Sequence, residues 1–507
     1  MYSARKARLF IMKAFILLYF IAAAGVTANF TGNWLVATPN SDGTMRRTYL
    51  RLKHQNGHIT GTVRSTLYLY TIDKSNGGPD NFTFTAAMPM FGSERRVTYR
   101  GKLAGNELRL VEIDFTGART GMTAHRVPDG EGALPVRVEP PPLHPVRGNG
   151  LARTPPMGWN SWNKFANRID DVTVRSIADA MVRSGMRDVG YVYVNIDDTW
   201  EGERDARGSI QPNQKFPDMK ALADYVHSKG LRLGIYSSPG PNTCEGYEGS
   251  YGHEEQDART YAAWGIDYLK YDWCGAFTLY KDSEMQAVYQ KMGDALLASG
   301  RDIVFSLCQY GLADVWKWAP AVGGNLWRTG GDIRDSWESV SRIGFSQDRL
   351  APYARPGHWN DPDMLEVGNG HMTDTEYRTH MSLWSMLAAP LIAGNDVRNM
   401  SPSIHDILTN REVIAIDQDK AGQQGKPIWQ SGQREIWTRE LAGGDTAVAV
   451  FNRASANATV KFRWAEAGIP KTPSCIRDLW RHTEQKGTGP EHTAEVPGHG
   501  VVLLRVR

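Results

Sequence analysis

The chain has 507 residues, more than one domain holds, so two or three domains are expected. With 41% hydrophobic and 22% charged residues it has ordinary globular composition, which excludes a disordered or low-complexity chain. The formal charge of +3 falls to −1 without Arg5, Lys6, Arg8 and Lys13, and no basic patch is interleaved with aromatics, so no nucleic-acid partner is expected.

Those four basic residues lie in residues 1–28, which read as a signal peptide. A basic start leads into the apolar core "AFILLYFIAAAG", with small residues Val26 and Ala28 suited to cleavage. Twelve uninterrupted apolar residues fall short of the roughly 20 that cross a bilayer. The expectation is export to the periplasm or the medium, leaving no stable membrane span; an uncleaved anchor is the alternative. Four cysteines are too few for a disulfide scaffold and lack zinc-like spacing, and no nucleotide loop is present, so no metal or organic cofactor is implied.

Residues 29–126 carry strand signals. "YLRLKHQNGHITGTVR" alternates about the turn dipeptide Asn56–Gly57, and "RVTYRGKLAGNELRLVEI" repeats the pattern about Ala104–Gly105–Asn106. This is an N-terminal β-domain, read as a structural accessory. Residues 127–150, "PDGEGALPVRVEPPPLHPVRGNG" among them, are proline-rich and read as a semi-rigid linker. From 151 to 420 short apolar runs alternate with helical stretches. "MGWNSW", "YVYVNIDD", "LRLGIYSS", "IDYLKYD", "IVFSLCQYG", "NLWRTGGD", "HWNDPDML" and "APLIAGND" are eight strand candidates. Between them "TVRSIADAMVRSG" and "MKALADYVHSKG" are helical, the second ending on Gly230. Eight such units predict an α/β architecture, a (β/α)8 TIM barrel; an open doubly wound sheet is the runner-up, but lacks its Gly-rich phosphate loop. Residues 421–507 return to alternation and predict a C-terminal antiparallel β-sandwich.

The barrel strands end in polar residues: Asp197 and Asp198, Asp272, Cys308 and Tyr310, Arg328 and Asp332, Asp361 and Asp363. In a β/α barrel those ends converge on one cavity. Lys270 and Asp272 are two apart, so both leave the same face of their strand, while Leu269 and Tyr271 point to the covering helices. Opposite charges buried there cost several kcal/mol unless a partner or a polar ligand satisfies them. A structural ion pair is one explanation and a ligand site is the other. Under the second, Trp159, Trp162, Trp200 and Trp327 offer flat faces for sugar rings, and Asp272 with Asp332 supplies the two carboxyls that glycoside cleavage requires.

Six motifs in order, "TPPMGWNSWNKF", "NIDDTW", "LKYDWCG", "WRTGGDIRDSW", "WNDPDML" and "AAPLIAGND", resemble the α-galactosidases (melibiases) of glycoside hydrolase family 27, over Arg153 to Asp419. The resemblance implies a retaining double displacement on terminal α-D-galactosyl residues of an oligo- or polysaccharide. Asp272 would be the nucleophile and Asp332 the general acid, then base, with their carboxyls about 5–5.5 Å apart. Asp332 must be protonated while Asp272 is ionised, so their pKa values should be separated. By motif, Asp197 and Asp198 would accept from the sugar's O4 and O6 hydroxyls and Lys270 would donate to O3 and O4. Trp162 would form an apolar wall, Arg328 would donate on the O2 side, and Cys308 would line the pocket near O2. Asp361 and Asp363 would be buried supports of the barrel mouth, and Cys244–Cys274 a disulfide.

Two strand ends depart from the family pattern. The fifth, usually Cys-Glu-Trp, reads Cys308–Gln309–Tyr310, which touches the wall around the 2-position; the third, usually Tyr-Ser-Asp, reads Tyr236–Ser237–Ser238, at the polar rim. Relatives cleave α-N-acetylgalactosaminides, β-L-arabinopyranosides or isomaltosyl units, and a non-catalytic carbohydrate-binding protein on this scaffold is the rival of another class.

Overall fold

The computed structural model describes residues 29–39, 45–66, 68–90 and 93–507. The proposed signal peptide lies outside the described residues. No helix among the described residues is long and apolar enough to cross a membrane.

The N-terminal domain is a closed antiparallel barrel. Its strands are β1 (Gly32–Pro39), β2 (Met45–Gln55), β3 (His58–Arg64), β4 (Leu69–Gly78), β5 (Asn81–Met90), β6 (Ser93–Ala104), β7 (Glu107–Ile113) and β8 (Arg119–Val127), each paired with the next, and β1 pairs with β8. Both hairpins read from the sequence are present. Gln55 pairs with His58 across Asn56 (φ 51°) and Gly57 (φ 76°), the two left-handed positions that a tight hairpin turn needs. Trp34, Leu50, Val63, Phe82, Phe84 and Leu108 alternate inward and fill the barrel.

Residues 128–150 hold no helix or strand, as the prolines dictate, but they are no free spacer. They run as a strap along the flank of the next domain. The Tyr251 hydroxyl donates to the Val136 carbonyl at 2.9 Å, that of Tyr280 to the Val138 carbonyl at 3.0 Å, and Gln290 brackets Pro142 and His144. Arg137 pairs with Glu284.

The next domain has its eight parallel strands where the apolar runs place them: β9 (Met157–Asn160), β10 (Tyr193–Asn195), then, after the short hairpin β11 (Glu201–Arg204) and β12 (Ile210–Pro212), β13 (Arg232–Ser237), β14 (Tyr268–Asp272), β15 (Val304–Cys308), β16 (Leu326–Arg328), β17 (Trp359–Asp361) and β18 (Leu391–Ala393). The sheet order is β17-β16-β15-β14-β13-β10-β9-β18, and a parallel bridge from Leu365 to Ala393 joins its two ends. Helices 171–183 and 219–228 are the two expected from the sequence; Asp170 caps the first by accepting from Thr173 N at 2.8 Å, and Gly230 takes φ +71° after the second.

Inside the barrel, residues two apart form layers. Tyr193, Tyr268, Val304, Leu326 and Trp359 pack together as an apolar plug at the strand starts. One step on lies a polar layer built from three sets of register partners, Asn160 with Asn195, Tyr236 with Lys270 and Ser306, and Arg328 with Asp361, the sets staggered by two residues. Leu269 and Tyr271 face outward, as expected: Tyr271 meets the Tyr289 ring on helix 285–298 at 5.8 Å. The plug closes the bottom and leaves the polar layer opening toward the strand ends. The C-terminal domain is a six-stranded antiparallel sheet facing a two-stranded one (458–463 with 491–496).

Candidate active site

Above the polar layer lies a cavity of about 1120 Å³. Trp162, Asp197, Asp198, Lys270, Asp272, Tyr310, Arg328, Asp332 and Asp363 all line it, so the structure brings together nearly every residue singled out from the strand ends.

Asp272 ends β14, buried, and accepts a hydrogen bond at 2.8 Å from the Tyr310 hydroxyl. Burial pushes its carboxyl up to about 6, opposed by the Lys270 charge and by the Tyr310 bond. Lys270 does not pair with Asp272. Its ammonium donates at 2.7 Å to Asp197, which also accepts from Asn160 at 2.7 Å. Burial works to lower the pKa of Lys270, but carboxylates, Asp197 foremost, outweigh it and hold the group charged. Asp198 accepts from the backbone N–H groups of Thr199 (2.7 Å) and Glu245 (2.9 Å); burial nonetheless raises it to about 7.

Asp332 sits beyond β16 on the rim, its side chain 72% exposed. Arg328, buried, reaches it at 3.1 Å and Asp363 at 3.0 Å. The partial desolvation of Asp332 works upward, but the Arg328 and Lys270 charges outweigh it and hold its carboxyl below the usual value. The separation expected for the two carboxyls is therefore present in the opposite order: Asp272 is the higher, because it is buried, and Asp332 the lower, because it is open and next to a guanidinium. Asp363 accepts from Ile333 N at 2.9 Å, and the Asp361 carboxylate accepts from Asp363 N at 2.9 Å.

Cys244 and Cys274 are joined by a disulfide. Its sulfurs lie 3.8 and 3.7 Å from the Tyr310 hydroxyl, so the bridge backs the group that holds Asp272. Burial pushes the Tyr310 phenol well up, which keeps it a proton donor. Tyr310 (φ 63°) adopts a left-handed backbone, as do Thr199 (φ 87°) and Asp363 (φ 89°). Such positions cost on the order of 1–3 kcal/mol each and cluster where a site over-determines its geometry.

Several expectations are corrected. Cys308 does not line the main cavity: it is buried beneath the floor, beside a void of about 20 Å³, with its sulfur 3.7 Å from Arg328. Gln309 is likewise buried behind the wall, so of the departing fifth-strand residues only Tyr310 faces the cavity. Ser238 is not on the rim; it is buried and its hydroxyl donates to the Cys274 carbonyl. Trp159, Trp200 and Trp327 offer no faces to a sugar. All three are fully buried, Trp159 and Trp327 on the outer side of β9 and β16 and Trp200 in the connection after β10, and their indoles donate to Asn395, Asn360 and Tyr236 in turn. Sequence reasoning missed Tyr236, whose ring lies 5.3 Å from the Lys270 ammonium and which period-two counting on β13 would have found. It also missed Arg46, Tyr68 and Arg95, which reach the cavity from the N-terminal barrel and carry no local signal at all.

Residues 154–419 match the family model described as alpha galactosidase A (Melibiase_2), and 431–506 match that of the alpha galactosidase C-terminal beta sandwich domain. The alpha-galactosidase of Cyamopsis tetragonoloba is 50% identical over 356 residues, covering 69% of this chain and 85% of that one. A solved Saccharomyces cerevisiae alpha-galactosidase with raffinose aligns with TM-score 0.65 at 29% identity, over 71% of this chain and 98% of its own. A Bacteroides fragilis structure, provisionally an alpha-galactosidase, aligns with TM-score 0.68 at 34% identity over 95% of this chain and 99% of its own. The chain belongs to the α-galactosidase (melibiase) family, glycoside hydrolase family 27.

Proposed function

We propose that this protein removes terminal α-D-galactosyl residues from oligo- or polysaccharides by a retaining double displacement. The observation that carries the reading is the placement of Asp272 and Asp332 at the ends of separate strands on one cavity whose floor is lined by Lys270, Asp197 and Asp198. Asp272 attacks the anomeric carbon and forms a glycosyl-enzyme ester while Asp332 protonates the departing oxygen. Asp332 then takes a proton from water, and that water releases the sugar.

The floor is suited to a polyhydroxyl face. Asp197 and Asp198 accept from hydroxyls, Lys270 and Arg328 donate, and Trp162 covers an apolar ring face. The order of the two carboxyls changes when a sugar is seated. The exposed Asp332 loses water, which raises its pKa, while hydroxyls that donate to Asp272 lower that of the nucleophile. Export fits the disulfide, since such bonds persist in oxidising compartments.

Release of nitrophenol from its α-galactoside, compared with the α-N-acetylgalactosaminide and the β-L-arabinopyranoside, tests the activity and ranks the glycones. Galactose should appear first as the α-anomer by NMR. A β-anomer would overturn the double displacement, and no turnover of the galactoside would overturn the substrate.

A further inference from the structure

The cavity has two chemically different sides. The catalytic domain lines it with both signs, carboxylates such as Asp197, Asp198, Asp272 and Asp332 beside cations such as Lys270, Arg328 and Arg334, whereas the N-terminal barrel contributes Arg46 from β2, Arg95 from β6 and Tyr68, and no acid among the described residues. Neither Arg46 nor Arg95 has an ion-pair partner among the described residues. The contrast within β6 is sharp: the next residue, Arg96, is on the opposite face and is neutralised by Asp73 and Glu94. Arg95 is held instead by its guanidinium over the Phe115 ring, 4.5 Å from the centroid.

This wall is fixed next to the reacting groups. The Tyr68 ring lies 6.0 Å from that of Phe277, in the loop that follows the nucleophile strand β14. The turn carrying Tyr68 approaches so closely that a Cβ on Gly246 would stand 3.2 Å from Thr66. Burial raises the Tyr68 phenol, Arg95 opposes it, and the charges of both Asp272 and Asp332 reach it. The N-terminal residues therefore line the mouth of the cavity beside the loops that follow β13 and β14, not its strand-end floor, and a galactosyl group seated on that floor sends its leaving group past them.

We infer that Arg46, Arg95 and Tyr68 form a leaving-group subsite for an anionic aglycone, a sugar bearing a carboxylate or a sulfate. Two guanidiniums with no carboxylate partner among the described residues attract an anion and bond it through paired N–H groups, and Tyr68 supplies a ring face for the sugar. The neutral galactosyl end goes to the acid-lined floor and the charged end to the basic wall. This rests on the α-galactosidase reading for the direction of the substrate.

The test uses the full chain and three disaccharides: α-D-galactosyl-(1→3)-D-galactose, the same sugar with a galacturonate at the reducing end, and the same sugar with a reducing-end 6-sulfate. The kcat/KM of the wild type should favour one or both anionic forms by roughly tenfold or more, the range of a hydrogen bond to a charged group. The preference should shrink as salt rises from 50 to 500 mM. Arg46→Gln, an exposed position, and Arg95→Gln should each lose at least about five times more on the anionic than on the neutral disaccharide. Carboxylate against sulfate preference identifies the anion. Equal rates on all three in the wild type, or equal losses on all three in the variants, overturn the inference while leaving the α-galactosidase reading intact. If no α-galactoside is turned over, that reading fails instead, and calorimetric binding of the same three sugars still decides the subsite: tighter anionic binding supports it, and equal binding overturns it.

Discussion

Tyr310→Phe removes one hydrogen bond, 2.8 Å long, from the Asp272 carboxylate and leaves the ring in place. A bond to a charged group contributes roughly 1.5–3 kcal/mol. Since about 1.36 kcal/mol corresponds to one pH unit, the loss moves the Asp272 pKa up from about 6 by roughly one to two pH units. The consequence for rate follows from the proton count. Reaction from the free enzyme needs Asp332 protonated and Asp272 ionised. With Asp272 the higher of the two, that is the minority form of the singly protonated pair. The kcat/KM should thus be lost below the pKa of Asp332, where both are protonated, and above about 6, where both are ionised. In Tyr310→Phe the alkaline limb should move upward by roughly one to two pH units, and kcat/KM at pH 5 should fall roughly 10–100-fold as the reactive form becomes rarer. Stopped assays of nitrophenol release from pH 3 to 9 measure both. A rate loss with the alkaline limb unmoved would refute the role of the phenol, as would a variant with an unchanged profile.

Other consequences are direct. Asp272→Gly should abolish turnover, and azide should restore part of it as a β-galactosyl azide detectable by NMR; wild-type rates without azide would dismiss Asp272 as nucleophile. Asp332→Ala should slow melibiose cleavage at least about 100-fold more than that of the 2,4-dinitrophenyl galactoside, whose leaving group needs little proton donation; equal losses on both count against the acid role. Cys274→Ser opens a closed loop with a sequence separation of 30 residues, worth roughly 3–4 kcal/mol in the chain-entropy model. For a domain of this size the calorimetric transition should fall by roughly 5–8 °C, and nitrophenol release should fall too, because the bridge backs Tyr310. An unchanged transition would show that the loop is held by other contacts.

The barrel was legible because its signals are local. Each strand is a short apolar run ending in a charged or amide residue, and the two-residue period assigned Lys270 and Asp272 to the interior. The same counting would have placed Trp159, between Gly158 and Asn160, and Trp327, between Leu326 and Arg328, on the helix side. They were misplaced because aromatic character was weighed above strand phase. Cys308 pairs in register with Asp272 and shares its inward phase, but it is buried with its sulfur against Arg328, and that cover depends on the size of neighbouring side chains. The order of the Asp272 and Asp332 pKa values depends on exposure, which a sequence does not contain. The closure of the N-terminal domain pairs strands some 90 residues apart, and its reach into the cavity joins segments some 200 residues apart, as between Tyr68 and Phe277; in neither case does one segment announce the other.

The proline-rich strap has a practical consequence for dividing this protein. Cutting at residue 150 to isolate the catalytic domain would not sever a hinge; it would strip a bonded layer from helix 285–298. The hydroxyls of Tyr251 and Tyr280 and the amide of Gln290 would lose their carbonyl acceptors, and the apolar flank beneath them would meet water. A truncation that begins after β8 and keeps 128–150 is the one that preserves the catalytic domain's own surface.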